Sequence, residues 1–159
     1  MKTFSVQFLF LILLLSGCTT TPKNFKLIFT MESIKVYKAS IELNSDKSYQ
    51  ILQQNLFFDA HAGEERVNKT EGKLTDEEFD ELTKRIADSR LFKMKNVYGF
   101  NKKESNNDPL EGLLYRLDYT EENKIKYILI HPNPADAYPK GVSQLINFLS
   151  NCIAEHSKK

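Results

Sequence analysis

Phe25, Leu27, Phe29 and Met31 alternate with Lys26, Ile28 and Thr30. This period of two narrows the folds open to the chain more than any other feature. Successive side chains of a strand point to opposite faces, so such a run must join a sheet that buries one face. The pattern recurs. Ile34 to Leu43 places Tyr37, Ala39, Ile41 and Leu43 on one face, with Lys35, Lys38 and Glu42 among the remainder. Asn44-Ser45-Asp46-Lys47 is a turn cluster, and Ser48 to Gln54 returns from it, so these two runs form a hairpin. Leu56-Phe57-Phe58 continues that strand or starts a bulge. Arg66 to Lys73 reads as a weak, exposed strand.

A second hairpin is predicted further on. Leu113, Tyr115, Leu117 and Tyr119 alternate with Leu114, Arg116 and Asp118. Glu121-Glu122-Asn123 turns the chain, and Ile125, Tyr127 and Leu129 alternate with Lys126, Ile128 and Ile130. Apolar residues on both faces at its far end predict a central place in the sheet. His131-Pro132-Asn133-Pro134 ends it, because proline cannot donate to a ladder.

Two segments carry helical spacing instead. Thr75 can cap, and Glu78 stands three residues later, which is a capping box. Asp76, Glu77, Glu78, Asp80 and Glu81 crowd the positive end of the helix dipole, with Lys84 and Arg85 later. Phe79, Leu82 and Ile86 form the inward stripe of a helix over Asp76–Ser89. Leu91 and Phe92 are expected to close against the same core. Pro139 can open a last helix at its first position, with Val142, Leu145, Ile146, Leu149, Cys152 and Ile153 as its stripe. The expected fold is α+β: a mostly antiparallel sheet with two helices packed on one face, in the order strand-strand-helix, strand-strand-helix.

The first residues follow a different logic. Lys2 precedes an apolar run from Phe8 to Leu15. The run is far shorter than the roughly 20 residues a membrane span needs, so it reads as a secretory signal. Leu15-Ser16-Gly17-Cys18 resembles the lipobox of bacterial lipoproteins. The resemblance implies a diacylglyceryl group on the Cys18 sulfur, cleavage just before Cys18, and acylation of the new amino terminus. Residues 1–17 are then the signal, 18–24 the lipidated end and a polar tether, and 25–159 a single domain. One acyl chain holds a protein only marginally, whereas two or more hold it stably. Thr19 stands where an aspartate resembles an inner-membrane retention signal in some Gram-negative bacteria, so the outer membrane is favoured there.

Charge and cysteine usage bound the partners. Lys2 is the only charged residue of the signal, so its removal leaves 21 basic side chains against 21 acidic ones. That balance argues against nucleic acid and against an electrostatic grip on anionic lipid. With Cys18 committed to lipid, Cys152 is left alone, and the mature domain has no intramolecular disulfide. A chain of this length buries roughly 68–70% of its unfolded surface and needs no such staple.

Candidate sites are sparse. Asp59, His61, Glu64 and Glu65 could ligate a metal in the polar loop 59–65, but ligating histidines usually come with further His or Cys and their supporting partners. His131 and His156 stand beside no obvious nucleophile, and no Gly-x-Ser-x-Gly elbow is present. Cys152 falls on an apolar stripe, where a structural thiol is expected. Asp76 and Asp80 could suggest paired-carboxylate chemistry, but their place in a first helical turn accounts for them. Asn68-Lys69-Thr70 matches a glycosylation acceptor, which a bacterial address discounts. Tyr98, Tyr115, Tyr119, Tyr127 and Tyr138 could line a ligand groove, although an amphipathic core role is simpler. No catalytic residue, cofactor motif or metal cluster is read from the chain.

Over most of residues 27 to 154 the chain resembles a family of small bacterial envelope proteins known only as a domain of unknown function. The resemblance rests on Leu27-Ile28-Phe29-Thr30-Met31-Glu32, on Val36-Tyr37 leading to Ile41, and on Asp46 and Tyr49. Further along it rests on Gly72-Lys73-Leu74-Thr75, Glu78-Phe79, Leu82, Leu91-Phe92, Tyr98-Gly99, Asp108-Pro109 and Lys126. Members often carry cysteines just before the first long strand, and here Met31 to Val36 has none. The family implies no established activity.

Three function classes follow. The leading one is a membrane-anchored, non-catalytic binding or accessory module of the envelope, with an envelope protein as possible partner. The second is an inhibitor or immunity protein against an envelope-targeting enzyme, inserting loop 101–109 or 132–139. The third is a hydrolase whose site assembles only in three dimensions.

Overall fold

The computed structural model describes residues 22–33, 36–56, 66–99, 112–132 and 138–157. Within them the alternating runs are strands: β1 (Phe25–Ser33), β2 (Tyr37–Asn44), β3 (Ser48–Gln54), β4 (Val67–Lys73), β5 (Val97–Tyr98), β6 (Leu113–Glu121) and β7 (Lys124–Ile130). The helical stripes are α1 (Asp76–Ser89) and α2 (Lys140–His156). The described strands form one sheet in the order β4-β3-β2-β1-β6-β7-β5. Every pairing is antiparallel except that of β5 with β7. The fold is α+β, as the patterning predicts.

Register explains the single core. Leu27 lies opposite Leu43 on one side and Tyr119 on the other, and Phe29 lies opposite Ile41 and Leu117. Leu117 in turn faces Ile128, and Ile41 faces Ile51. All of these are buried, on the face that takes the helices. A one-residue slip in any pairing would turn that whole set to solvent. The opposite face carries polar cross-strand pairs, such as Lys26 with Glu42 at 2.7 Å and Gln50 with Glu71 at 2.7 Å.

The turn chemistry is local. Ser48 N–H donates to Asp46 Oδ1 at 3.0 Å, and Lys47 takes φ 69°, so a three-residue loop with a left-handed third residue joins β2 to β3. The capping box is present: Glu78 N–H donates to Thr75 Oγ1 at 3.2 Å, and Thr75 N–H donates to Glu78 Oε2 at 2.7 Å. Leu82 and Ile86 are buried, and Phe79 packs partly buried against the core. All six residues of the predicted α2 stripe are buried. The two helices run antiparallel. A Cβ on Gly141 would come within 2.7 Å of Asp88 O, so glycine permits the close approach where α2 starts against the end of α1.

Several expectations need correction. The hairpin β6–β7 is not central as a unit. β6 lies between β1 and β7, but among the described residues the other side of β7 is flanked only by the two residues of β5. Its outward Ile125 and Tyr127 are 58% and 59% exposed, so apolar side chains on both faces did not mean burial on both. β2 starts at Tyr37, next to Val36, whose N–H donates to Ser33 O at 2.9 Å, and the first two residues of the expected run, Ile34 and Lys35, lie outside the described residues. Lys84 and Arg85 sit a turn short of the helix end, and Arg85 pairs with Glu81 at 2.6 Å instead of the dipole. Pro139 caps α2 from just outside. Leu91 is buried, but Phe92 is 38% exposed.

Candidate functional site

One end of the sheet gathers the start of the domain. Ser45 N–H donates to Phe25 O at 3.0 Å and Glu122 N–H to Asn24 O at 3.2 Å, so the β2–β3 and β6–β7 turns flank the first described residues. Four aromatic rings cross this end. Phe79 stacks on Phe25 at 6.0 Å between centroids, Phe25 meets Tyr119 at 6.2 Å, and Tyr119 meets Phe92 at 5.4 Å. A lysine lies over each terminal ring, Lys47 at 5.7 Å from Phe79 and Lys124 at 6.0 Å from Phe92. Such rows bury large apolar areas and keep preferred tilted or offset geometries.

Beside the Phe92 end is a cavity of about 590 Å³. Its walls come from four separate places: Pro22 ahead of β1, the last turn of α1, the segment Arg90–Lys93, and Tyr119 with Glu121 on β6. Arg90 follows α1 with φ 50° and ψ 47°. Helices commonly end in this left-handed conformation, but usually on glycine. For a residue with a Cβ it costs about 1–2 kcal/mol. Tyr119 is 2% exposed, and its hydroxyl is enclosed beside the Glu121 carboxylate. Burial, and then the neighbouring Glu121 carboxylate, push its ionisation well above the usual phenol range. The hydroxyl therefore stays a neutral donor.

The face of the sheet away from the helices holds a second, shallower depression of about 360 Å³, with Asn96, Arg116, Asp118 and Tyr127 in its lining. Arg116 Nε lies 3.2 Å from Asp118 Oδ2. The same strands carry Ile125 and Tyr127, exposed beside it.

A third cluster joins the helices. His156 is buried, its Nε2 is 3.0 Å from Glu78 Oε1, and its ring lies 4.7 Å from that of Tyr49. Cys152 stands one turn earlier on α2. Burial first, then the Glu78 and Glu155 carboxylates, push its thiol up to about 12. A thiol so disposed is not a thiolate at neutral pH and is a poor nucleophile. The cluster therefore acts as a clamp between α1 and α2. Glu78 has a depressed pKa: burial works to raise it, but the Thr75 N–H and the His156 ring outweigh that. A carboxylate depressed in the folded state contributes stability above its unfolded pKa and loses it as pH falls through the folded one. Exposed Asp46, Glu71 and Asp76 shift the same way through hydrogen bonds to Ser48, Lys69 and Lys47. Urea midpoints should thus fall steadily below about pH 5. Glu78→Gln should lower the midpoint at pH 7 and flatten its acid slope. A slope unchanged by the substitution would remove Glu78 from this role.

The other sequence candidates scatter. Cys18, the residues Asp59, His61, Glu64 and Glu65, and most of the loops 101–109 and 132–139 lie outside the described residues. His131 follows β7, where its N–H donates to Tyr98 O at 3.0 Å. Asp76 and Asp80 lie in the early turns of α1, and Asn68-Lys69-Thr70 lies on the edge strand β4. Of the five tyrosines, Tyr119 lines the larger cavity, Tyr127 faces outward at the shallower one, and Tyr98, Tyr115 and Tyr138 pack partly buried on the core. Among the described residues no three His, Cys, Asp or Glu side chains gather as a metal site. Sequence reading missed Arg90, Lys93 and Glu121. The signal available was an arginine where a helix C-cap usually has glycine. No family model matches the chain, and no curated protein matches it.

Proposed function

We propose that this is a lipid-anchored protein of the cell envelope whose domain binds rather than catalyses. The observation that carries the reading is Leu15-Ser16-Gly17-Cys18 at the end of a short apolar run. Three residues separate Cys18 from Pro22, and the four extended steps between them span at most about 14 Å. Lipid on Cys18 would hold the Pro22 end of the sheet, with its aromatic row and larger cavity, close to the bilayer. Among the described residues no helix is long and apolar enough to cross a membrane. A resemblance to small envelope proteins over most of residues 27 to 154 would fit this address, and Thr19 favours the outer membrane in a Gram-negative cell.

The binding role is supported by the cavity and by the inert state of Cys152. A photoreactive residue at Phe92 in the anchored chain tests it. Irradiation of native membranes should yield one discrete adduct, either an envelope protein or a lipid. Turnover of an envelope substrate by the purified chain, abolished by replacing one or two polar residues without unfolding, would overturn the binding reading.

A further inference from the structure

The cavity beside Pro22 has a charge pattern that selects among ligands. Arg90 and Lys93 supply two cations to its lining, and Asp88 and Glu121 supply two anions. A simple anion would meet as much repulsion there as attraction, and so would a simple cation. A ligand carrying both charges satisfies both pairs. We infer that this cavity takes a zwitterion made of a phosphate and an ammonium group, as in a phosphoethanolamine headgroup.

Each part of that ligand has a recipient. The guanidinium of Arg90 matches phosphate oxygens in a planar fork, and Lys93 adds a point charge. The carboxylates of Asp88 and Glu121 are ammonium acceptors. The Tyr119 hydroxyl is buried and neutral beside Glu121, so it backs that carboxylate at the cavity wall. Phe92, 38% exposed at the same cavity, gives the less polar part of the ligand a surface. Arg90 holds φ 50°, a conformation that glycine adopts without steric cost.

The chemistry is shared by a membrane headgroup and a free phosphoethanolamine. The bilayer as source rests on the proposed anchor, which would hold Pro22 within reach of headgroups. The binding itself does not. Full-length chain in non-ionic detergent is titrated with dihexanoyl phosphatidylethanolamine, free phosphoethanolamine and dihexanoyl phosphatidylglycerol, and the Tyr119 and Phe92 ring resonances are followed. Saturable shifts are expected with the first, and affinity at least about tenfold weaker with phosphatidylglycerol, the loss of one charge-assisted contact. Lys93→Gln and Glu121→Gln should each weaken binding by about tenfold. Arg90→Gly should do the same while the melting temperature stays level or rises, which separates lost binding from lost folding. If the free headgroup binds as tightly as the lipid, the source is a soluble zwitterion; if the lipid binds at least about tenfold tighter, it is the membrane. The assignment is overturned if neither phosphoethanolamine probe gives saturable shifts, if phosphatidylglycerol binds equally well, or if Arg90→Gly binds like the parent chain. Because the titration is blind to Cys18, its failure would leave the anchor standing, and loss of the anchor would leave the cavity chemistry standing.

Discussion

Leu82→Ala should lower the unfolding free energy by about 2–5 kcal/mol, read from a denaturant titration at neutral pH. Leu82 is wholly buried on the inward stripe of α1, where the helix meets the sheet. Truncation removes apolar contacts and leaves a space that close-packed neighbours fill only in part. Ile125→Ser serves as the contrast. Ile125 is apolar but exposed on the face away from the helices, and its loss should stay within about 0.5 kcal/mol. Equal losses at the two positions would mean that the helical face is wrongly assigned.

What could be read ahead of the structure was what neighbours in sequence decide. The hairpin β2–β3 follows from alternation on either side of Asn44-Ser45-Asp46-Lys47. The start of α1 follows from Thr75 and Glu78, three residues apart. The α2 stripe follows from spacing alone. The order of strands is another matter. β1 pairs with β6 across a gap of some eighty residues of chain, and no periodicity in either strand names its partner. Period two tells which residues share a face, but not which face another layer covers. That is why a hairpin apolar on both faces at its far end read as central, while Ile125 and Tyr127 stand exposed. The Glu78–His156 contact joins residues 78 apart, and the larger cavity assembles walls from four segments. Such sites are products of packing. Arg90 is the exception, since the conformation that makes it unusual belongs to the helix end, and that end could be placed from the stripe of α1.

The second large effect concerns location. Cys18→Ala should move the protein out of the membrane fraction, either as a released mature chain or as a precursor that keeps residues 1–17. The proposed attachment uses the cysteine sulfur, and alanine offers no nucleophile to carry a thioether. Stable anchoring requires two or more acyl chains, so loss of the attachment point is expected to be nearly complete in detergent phase partitioning rather than partial. Cys152 supplies an internal control. It is the other cysteine of the chain, it is buried, and its thiol is pushed up to about 12 by burial and by Glu78 and Glu155. Cys152→Ala should leave partitioning unchanged.

The most direct measurement is the intact mass and amino-terminal peptide of the protein extracted from its native membranes. The proposed anchor predicts a chain that begins at Cys18 and is heavier than the unmodified sequence by a thioether-linked diacylglyceryl group, with or without an amide-linked acyl chain. A chain that begins at Met1, or one that begins at or after Cys18 with no added lipid mass, would contradict it.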